Sequence, residues 1–506
     1  MLLSKSKSPE DVISTPVESL ESSKSSPYIP DDNTNLKREL KPRHTSFLSL
    51  AGIIGPGILV GASLALKNGP LSLLLGFSII GIVAMIMMQS LIVLIMNYPT
   101  GGVFSSLGCR VVDPAYGGVV GWCYFIVFVT VLANEYNTTA ALLQFWGPQV
   151  PLYGYILMFW VAFLGFQFLG VGVFGEAEFW LASLKIIGIF AFYIFSIVYM
   201  SGGIKGQPAF GFHYWNDPGA LANGFKSVVA TFVYASTFYS GSEIPAIAAA
   251  ESKDPRSLPS VVRNTVFRII FIYIGIAIFY GATVPYNDET LNANTKALQS
   301  PMSIAIKRAG WNGGAHLINA FIIVTCISAI NSSIFIGSRT LLHLANEGQA
   351  PKLLKTVNKH GVPYFAVILT NAFGLISLMN ISTGAANAYN YIVNISGVAV
   401  FIVWGSVCFY HIRFRQAWAA QGRDANDLTH KGLWYPYLPI AGMTLNIFLA
   451  LIQGWSYFKP FQAKDWVDSY ILLPFSIVLF FVLKIVNKTK WVKLHEADLD
   501  TGRFVG

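Results

Sequence analysis

"GIIGPGILVGASLALKNGP", residues 52–70, is apolar enough to enter a membrane, yet its middle holds Gly55, Pro56 and Gly57. Proline removes a helix N–H and clashes with the preceding turn. Glycine permits backbone angles that other residues avoid. Inside a bilayer, unwound backbone is tolerated only where it lines a cavity or is covered by protein. The plainer reading of the same residues is a kink or a close small-residue helix contact. A second interruption shifts the balance. In "TFYSGSEIPAIAAAES", residues 237–252, Ser240, Gly241 and Ser242 break an apolar run, Glu243 follows and Pro245 stands close behind. An acid at membrane depth is costly and marks function by default.

Around these stretches the composition is that of a polytopic membrane protein. Of 506 residues, 54% are hydrophobic and 12% charged, against roughly 25% charged in soluble domains; the mean hydropathy is +0.54. About twelve spans are expected, at 47–66, 70–96, 118–146, 152–172, 178–200, 221–250, 264–285, 315–344, 364–380, 388–411, 436–455 and 469–486. Runs of this length suit helices of about 20 residues, and open strands cannot cross lipid. The fold class is therefore all-α. Residues 1–45 form a polar, Ser-, Pro- and Lys-rich tail expected to be disordered; residues 46–487 form the membrane domain, and 488–506 a short tail. No cleavable signal peptide precedes the first span, which must serve as the targeting signal.

The net charge of +9 belongs to basic loops that hold the cytosolic side, not to nucleic-acid binding. Lys253, Arg256 and Arg263 follow span six; Lys352, Lys355 and Lys359 follow span eight. Arg413, Arg415 and Arg423 follow span ten, and Lys484, Lys488, Lys490 and Lys493 follow span twelve. An even count puts all four loops and both termini in the cytosol; Lys307 and Arg308 are exceptions on the other side. The four cysteines, Cys109, Cys123, Cys326 and Cys408, show neither a disulfide framework nor metal spacing and read as packing residues. No phosphate loop, metal cluster or nucleophile motif stands out, so neither an enzyme nor an ATP-driven pump is expected, and no cofactor or metal.

Two interrupted helices, each leading a group of five spans, point to an inverted-repeat transporter. A broken helix offers free N–H groups at one new end and free C=O groups at the other, attracting an anion and a cation. An amino-acid zwitterion carries one of each. Its carboxylate is expected at the amides of Gly55, Gly57 and Ile58, and its ammonium where the first halves of spans one and six end. Ser240, Gly241 and Glu243 border the second break, with Glu243 in reach of the amine or of a proton. Phe238 and Tyr239 are candidates for an aromatic lid, against ordinary helix packing.

The motifs resemble those of the fungal, yeast-type amino-acid permease family of the amino acid–polyamine–organocation superfamily. "GPGILVGASLALKNGPLSLLLGF" is similar to the family's first-helix signature, and "YPTGGVF", "VDPAYGGVVGWCY" and "FGEAEFWLASLKIIGI" to the region that follows. "FYSGSE" and "AAESKDPRSLP" resemble span six and its exit. "SAINSSIFIGSRTLLHLANEGQAPKLLKTVNKHGVPY", "NISGVAVFIVW", "HIRFRQAW" and "EADLDTGR" complete a resemblance running from about residue 43. It implies twelve helices in a five-plus-five inverted repeat with discontinuous helices one and six. It also implies proton-coupled uptake of L-amino acids at the plasma membrane, with an endomembrane as the alternative location. Three departures stand out: Pro56 where the family more often has Thr, "LANEYN" in place of a Pro-x-Glu pattern although Glu135 remains, and "RFVG" in place of an aromatic-Cys terminus. In related bacterial transporters a lysine in span five stands where sodium sits in sodium-driven relatives, which implies a proton role for Lys185, with Glu135 and Glu243 as further candidates; snorkelling to the interface is the alternative. Glu176 and Glu178 read as a solvated or salt-bridged turn, and Arg339 as an anchor. Expected partners are the amino acid, protons and the lipid bilayer, with trafficking and ubiquitination machinery at the exposed Lys5, Lys7, Lys24 and Lys37. A polyamine or other cation carrier, or a non-transporting amino-acid sensor on the same fold, are the alternatives.

Overall fold

A computed structural model describes residues 36–147, 149–253, 258–292, 300–311, 313–379, 381, 385–458 and 460–504. The tail lysines Lys5, Lys7 and Lys24, and Arg256, lie outside them. Among the described residues, seven helices are long and apolar enough to cross a membrane: Pro42–Leu66, Pro70–Asn97, Pro114–Leu143, Val171–Met200, Ser260–Thr283, Gly314–Asn346 and Asn394–Ala420. An eighth, Ala463–Tyr470 with Leu472–Val486, bends by 41°. Shorter apolar helices, Leu152–Gln167, Tyr364–Met379 and Tyr437–Ile452, fall where spans four, nine and eleven are expected. Span six is split into Phe225–Tyr239 and Ile244–Ala248. Extended pairing among the described residues is confined to isolated bridges such as Leu40 with Ser252.

The packing repeats with a period of five spans. Span one lies on span five as span six lies on span ten, and span three on span four as span eight on span nine. Span two meets six as seven meets one; span three meets ten as eight meets five. Exchanging spans one to five with six to ten thus preserves the contact pattern. Five crossings are an odd number, so the second unit enters from the opposite face. Spans eleven and twelve attach outside this core, against spans ten and two and against span three.

Span five illustrates how sequence sets this arrangement. Trp180, Ile187 and Ile194 recur every seven residues and are 65%, 65% and 64% exposed, a lipid-facing stripe. Phe174, Glu178, Ala182, Lys185, Ile189, Phe192 and Ser196 recur at three- and four-residue steps and are buried, which places an acid and a lysine on the inward stripe.

The terminal segments close one face of the bundle. Leu40 donates its amide to Glu251 O and accepts from the Lys253 amide, each at 2.9 Å, so the chain is ordered before residue 46 and the first helix opens at Pro42. At the other end, Phe504 N donates to Asn97 O at 2.8 Å, the Tyr98 hydroxyl to Leu499 O at 2.8 Å, and Arg423 grips both oxygens of Asp500 at 2.7 Å.

Asp113 anchors this face. Its Oδ1 accepts from the Ala115 amide at 2.8 Å and the Thr489 hydroxyl at 2.9 Å, capping span three, while Oδ2 pairs with the Lys484 ammonium. Burial alone pushes the carboxyl upward, but Lys484, Thr489 and the Ala115 amide outweigh it and hold it below the usual carboxylate range. A value lower in the folded state gives stability that is whole above the unfolded value of about 3.9 and is lost as pH falls through the folded one. Asp113→Ala should therefore cost about 1 kcal/mol near neutral pH. Melting of the detergent-purified protein should show the gap narrowing below about pH 4; equal melting temperatures at pH 7 would contradict the cap.

Candidate substrate and proton site

Span one stops at Ile53, and its helix resumes with a π-helical turn over Gly57–Gly61. The break therefore falls at Ile54 and Gly55, just ahead of the Gly-Pro-Gly centre read from the sequence. First-turn amides of a restarting helix lack partners one turn earlier; those of Gly57 and Ile58 are such amides. Span six stops at Tyr239, extends through Ser240, turns at Gly241 with φ 106° and resumes at Ile244. That positive φ explains a glycine here.

The two breaks are neighbours. A β-carbon on Gly57 would come within 2.8 Å of the Phe238 ring, and the first half of span one packs on the second half of span six. Phe238 thus sits at the junction, edge-on to Phe77. Tyr239 does not. Its ring lies 4.1 Å from that of Tyr273 and its hydroxyl donates to Phe77 O at 3.0 Å. Of the pair expected to form a lid, only Phe238 faces the junction, because neighbouring helical residues point about 100° apart.

Glu243 is buried and folds back on its own break. Its Oε2 accepts from the Gly241 amide at 3.2 Å and the Ser242 hydroxyl at 3.1 Å. The Trp404 indole N–H stands near it without closing a hydrogen bond. Glu135, from span three, reaches span one: its Oε1 lies 3.3 Å from where a Gly55 β-carbon would stand.

Lys185 is fully buried and donates to Ala51 O at 2.5 Å. It caps the carbonyl end of span one's first half rather than snorkelling. The matching end of span six is also engaged, Tyr239 O by the Ser242 amide at 3.2 Å and Phe238 O by the Tyr273 hydroxyl.

Glu176 forms the salt-bridged turn read from the sequence, with Arg43 at 2.8 Å and His44 at 3.0 Å. Glu178 departs from that reading. It is fully buried and accepts from Ser328 at 2.5 Å and Asn331 at 2.6 Å on span eight, because a two-residue step along the helix carries it to the inward stripe. Arg339 anchors as expected, paired with Glu251 at 2.8 Å and stacked on Phe335. The four cysteines are buried and unbridged, and no group of acids, histidines and cysteines among the described residues could hold a metal.

Several buried polar atoms around the breaks have no protein partner: Ser240 Oγ, Glu135 Oε2, Asn134 Oδ1, Thr138 Oγ1 and Tyr124 Oη. Three of the four on span three, Asn134, Glu135 and Thr138, had a legible signal in "NEYNTT", residues 134–139, a polar run inside an apolar span. Beyond them, on the face opposite the termini, a cavity of about 1110 Å³ opens between the end of span three at Leu142 and Phe145, the 285–290 segment and the helix Pro301–Arg308. Ser300 on its wall donates to Leu59 O at 2.6 Å, tying this face to the second half of span one.

Comparison with known proteins agrees with this architecture. The family model described as "Amino acid permease" matches residues 44–496. The chain is 59% identical over 477 residues to the general amino acid permease AGP3 of Saccharomyces cerevisiae, covering 94% of this chain and 86% of that protein. It is 47% identical to an uncharacterized amino-acid permease of Schizosaccharomyces pombe, over 94% and 88% of the two chains. It is 34% identical to the lysine-specific permease of Saccharomyces cerevisiae, over 93% and 79%. With two broken helices meeting at mid-depth and a family match over nine-tenths of its length, this chain belongs to the amino acid permease family.

Proposed function

We propose that the chain is a secondary active transporter that takes up L-amino acids, with broad specificity, across the plasma membrane in symport with protons, its termini in the cytosol. The observation that carries the reading is the side-by-side placement of the two helix breaks amid buried polar atoms that lack protein partners. The basic loops after spans six, eight, ten and twelve lie on the terminal face and favour its cytosolic placement. The cavity opposite is then the outer vestibule.

The two amide ends are unequal. Glu243 already places a carboxylate on the Gly241 amide within the span-six break, whereas among the described residues no carboxylate is bonded to the amides of Gly57 and Ile58, where span one restarts. The substrate carboxylate therefore belongs on span one. The substrate ammonium faces carbonyls that are each engaged once; a carbonyl keeps a second lone pair, and Glu243 lies within the same break. Phe238 covers the Gly57 side and moves aside on binding. Lys185 fills a cation position with an ammonium of its own, which favours protons over sodium as the driving ion, and Lys185, Glu135 and Glu243 are the groups that couple the proton to transport. The role assignments of Gly55, Gly57, Ile58, Phe238, Ser240, Gly241 and Glu243 in binding are part of this proposal; Tyr239 is left to packing. Uptake of a labelled amino-acid panel by cells lacking their own permeases tests the whole reading. A sensor would accumulate none, and a polyamine carrier would prefer cations without a carboxylate.

Three outcomes are expected. Gly57→Val drives a branched side chain into the Phe238 ring; uptake should fall on the order of tenfold, about 1.4 kcal/mol, while surface abundance survives better. Normal uptake with unchanged affinity would remove the carboxylate from this amide. Glu243→Gln should reach the membrane and lose most transport; wild-type rate and pH profile in that variant would make the acid structural. Uptake should rise at acidic external pH, collapse with a protonophore and ignore sodium replacement, and Lys185→Met should lose concentrative uptake. A strict sodium requirement would overturn proton coupling.

A further inference from the structure

Glu178 is a buried carboxylate that the transport reading leaves without a role. It lies on the same inward stripe of span five as Lys185, seven residues or about 10 Å along the axis away. Its two oxygens take different donors from span eight, the Ser328 hydroxyl and the Asn331 amide nitrogen. The Asn331 amide cannot turn over, because Gln167 of span four donates to Asn331 Oδ1 at 2.8 Å and to its backbone oxygen at 2.9 Å. Glu178 therefore faces N–H and O–H donors that are positioned for an acceptor. Both oxygens are thereby used as acceptors.

The groups that act electrostatically on Lys185 are Glu178 on its own helix, Glu135 from span three and Cys326 from span eight. Span one contributes the Ala51 carbonyl and no charge. Neither carboxylate touches the ammonium in a direct ion pair, so both act across the protein interior, where a low dielectric carries the attraction further than water would. With both acids ionised, the cluster has a net charge of −1, which a buried site disfavours. One added proton makes it neutral. Glu178 has donors on both oxygens; Glu135 has an Oε2 with no partner and stands beside Gly55 at the helix break.

Resting on the proton-symport reading, we propose that Glu178 is the fixed, ionised counter-charge that keeps Lys185 an ammonium on the span-one carbonyl, so that the exchangeable proton of the cluster resides on Glu135. Lys185 keeps its proton throughout. Uptake of one proton converts the Glu135 carboxylate to the acid, and its release restores the carboxylate beside the break. Glu178 is a positioning residue: it acts through Lys185, and the chain Gln167, Asn331, Glu178 links the wall of spans four and eight to the charge at the break in span one.

The test compares Glu178→Gln, Glu178→Asp, Lys185→Met and the double variant Glu178→Gln/Lys185→Met, each as the full chain. Removing one member of a buried pair leaves an uncompensated charge, whereas removing both does not. Each of Glu178→Gln and Lys185→Met should lower the melting temperature in detergent, and the double variant should melt higher than the sum of the two losses predicts. In uptake assays, Glu178→Gln leaves Glu135 as the sole counter-charge and so holds it ionised to lower pH. The half-maximal external pH should move to the acid side by about one unit, tenfold in proton concentration, and Glu178→Asp should bring it part of the way back. Additive melting losses overturn the pairing, and an unmoved pH profile in Glu178→Gln overturns the assignment of the proton to Glu135. Wild-type uptake indifferent to pH would defeat the symport reading, and with it that assignment; the melting cycle still decides the pairing by itself.

Discussion

A buried backbone N–H or C=O must have a partner, and this constraint governs the centre of the molecule. Breaking two helices at mid-depth creates four helix ends where no water is available to satisfy them. Two of those ends are met by other parts of the chain. Lys185 reaches across from span five to Ala51 O, and Tyr273 and the Ser242 amide meet the end of span six's first half; between the halves of span six the Glu243 carboxylate takes the Gly241 amide. Each of these solutions brings a polar or charged side chain into an apolar bundle. Each in turn needs neighbours: Ser328 and Asn331 for Glu178, Gln167 for Asn331. The polar content of spans three, five and eight is thus a consequence of the two breaks.

The same constraint separates the terminal face from the rest. There Arg339 and Glu251 form a fully buried ion pair, with the Arg339 guanidinium 4.0 Å from the centre of the Phe335 ring. Desolvating two charges costs several kcal/mol per ion, so the pair is weak support for stability on its own. It joins span eight to the end of span six at the point where Leu40 also bonds to Glu251 and Lys253. Three separate stretches of chain meet beneath the broken half of span six, which gives that half a fixed footing on the terminal face.

How much of this was legible from residues alone depends on the scale of the signal. Twelve apolar runs and two interruptions are long-range features of composition, and the helices fall close to the expected bounds; the break in span one moves by about two residues because Pro56 itself takes helical angles of φ −63° and ψ −16°. Gly57 and Phe238 meet where the two breaks adjoin. What a linear pattern could not provide was the azimuth of single side chains. Tyr239 and Phe238 are adjacent in sequence and face different helices. Glu176 and Glu178 are two residues apart, and one is half-exposed while the other is at the centre of a hydrogen-bond network. The stripe of span five contained the information, since Trp180, Ile187 and Ile194 mark its lipid side. A seven-residue step from Lys185 back to Glu178 then puts both on the other. The docking of the C-terminal segment on Asn97 and Tyr98 left no periodic trace, because it is made largely by backbone groups.

The internal repeat makes one further consequence visible. Related by the same exchange of five spans, the breaks in spans one and six would be equivalent if their surroundings were. They are not. Span six carries its own acid at the restart and bonds it to Gly241, while span one carries none and takes its cation, Lys185, from another helix at the opposite end of the break. The two halves of the pseudo-symmetric site are therefore unequal: one carries a carboxylate of its own, and the other is reached by a lysine from span five. A symmetric site would bind a zwitterion in two opposed orientations with equal energy. In the reading proposed above, an unequal one favours a single orientation, carboxylate toward span one and ammonium toward span six. Alternating access needs the symmetry of the scaffold so that both faces can open by related motions, and it needs the asymmetry of the charges so that the substrate rides in one pose.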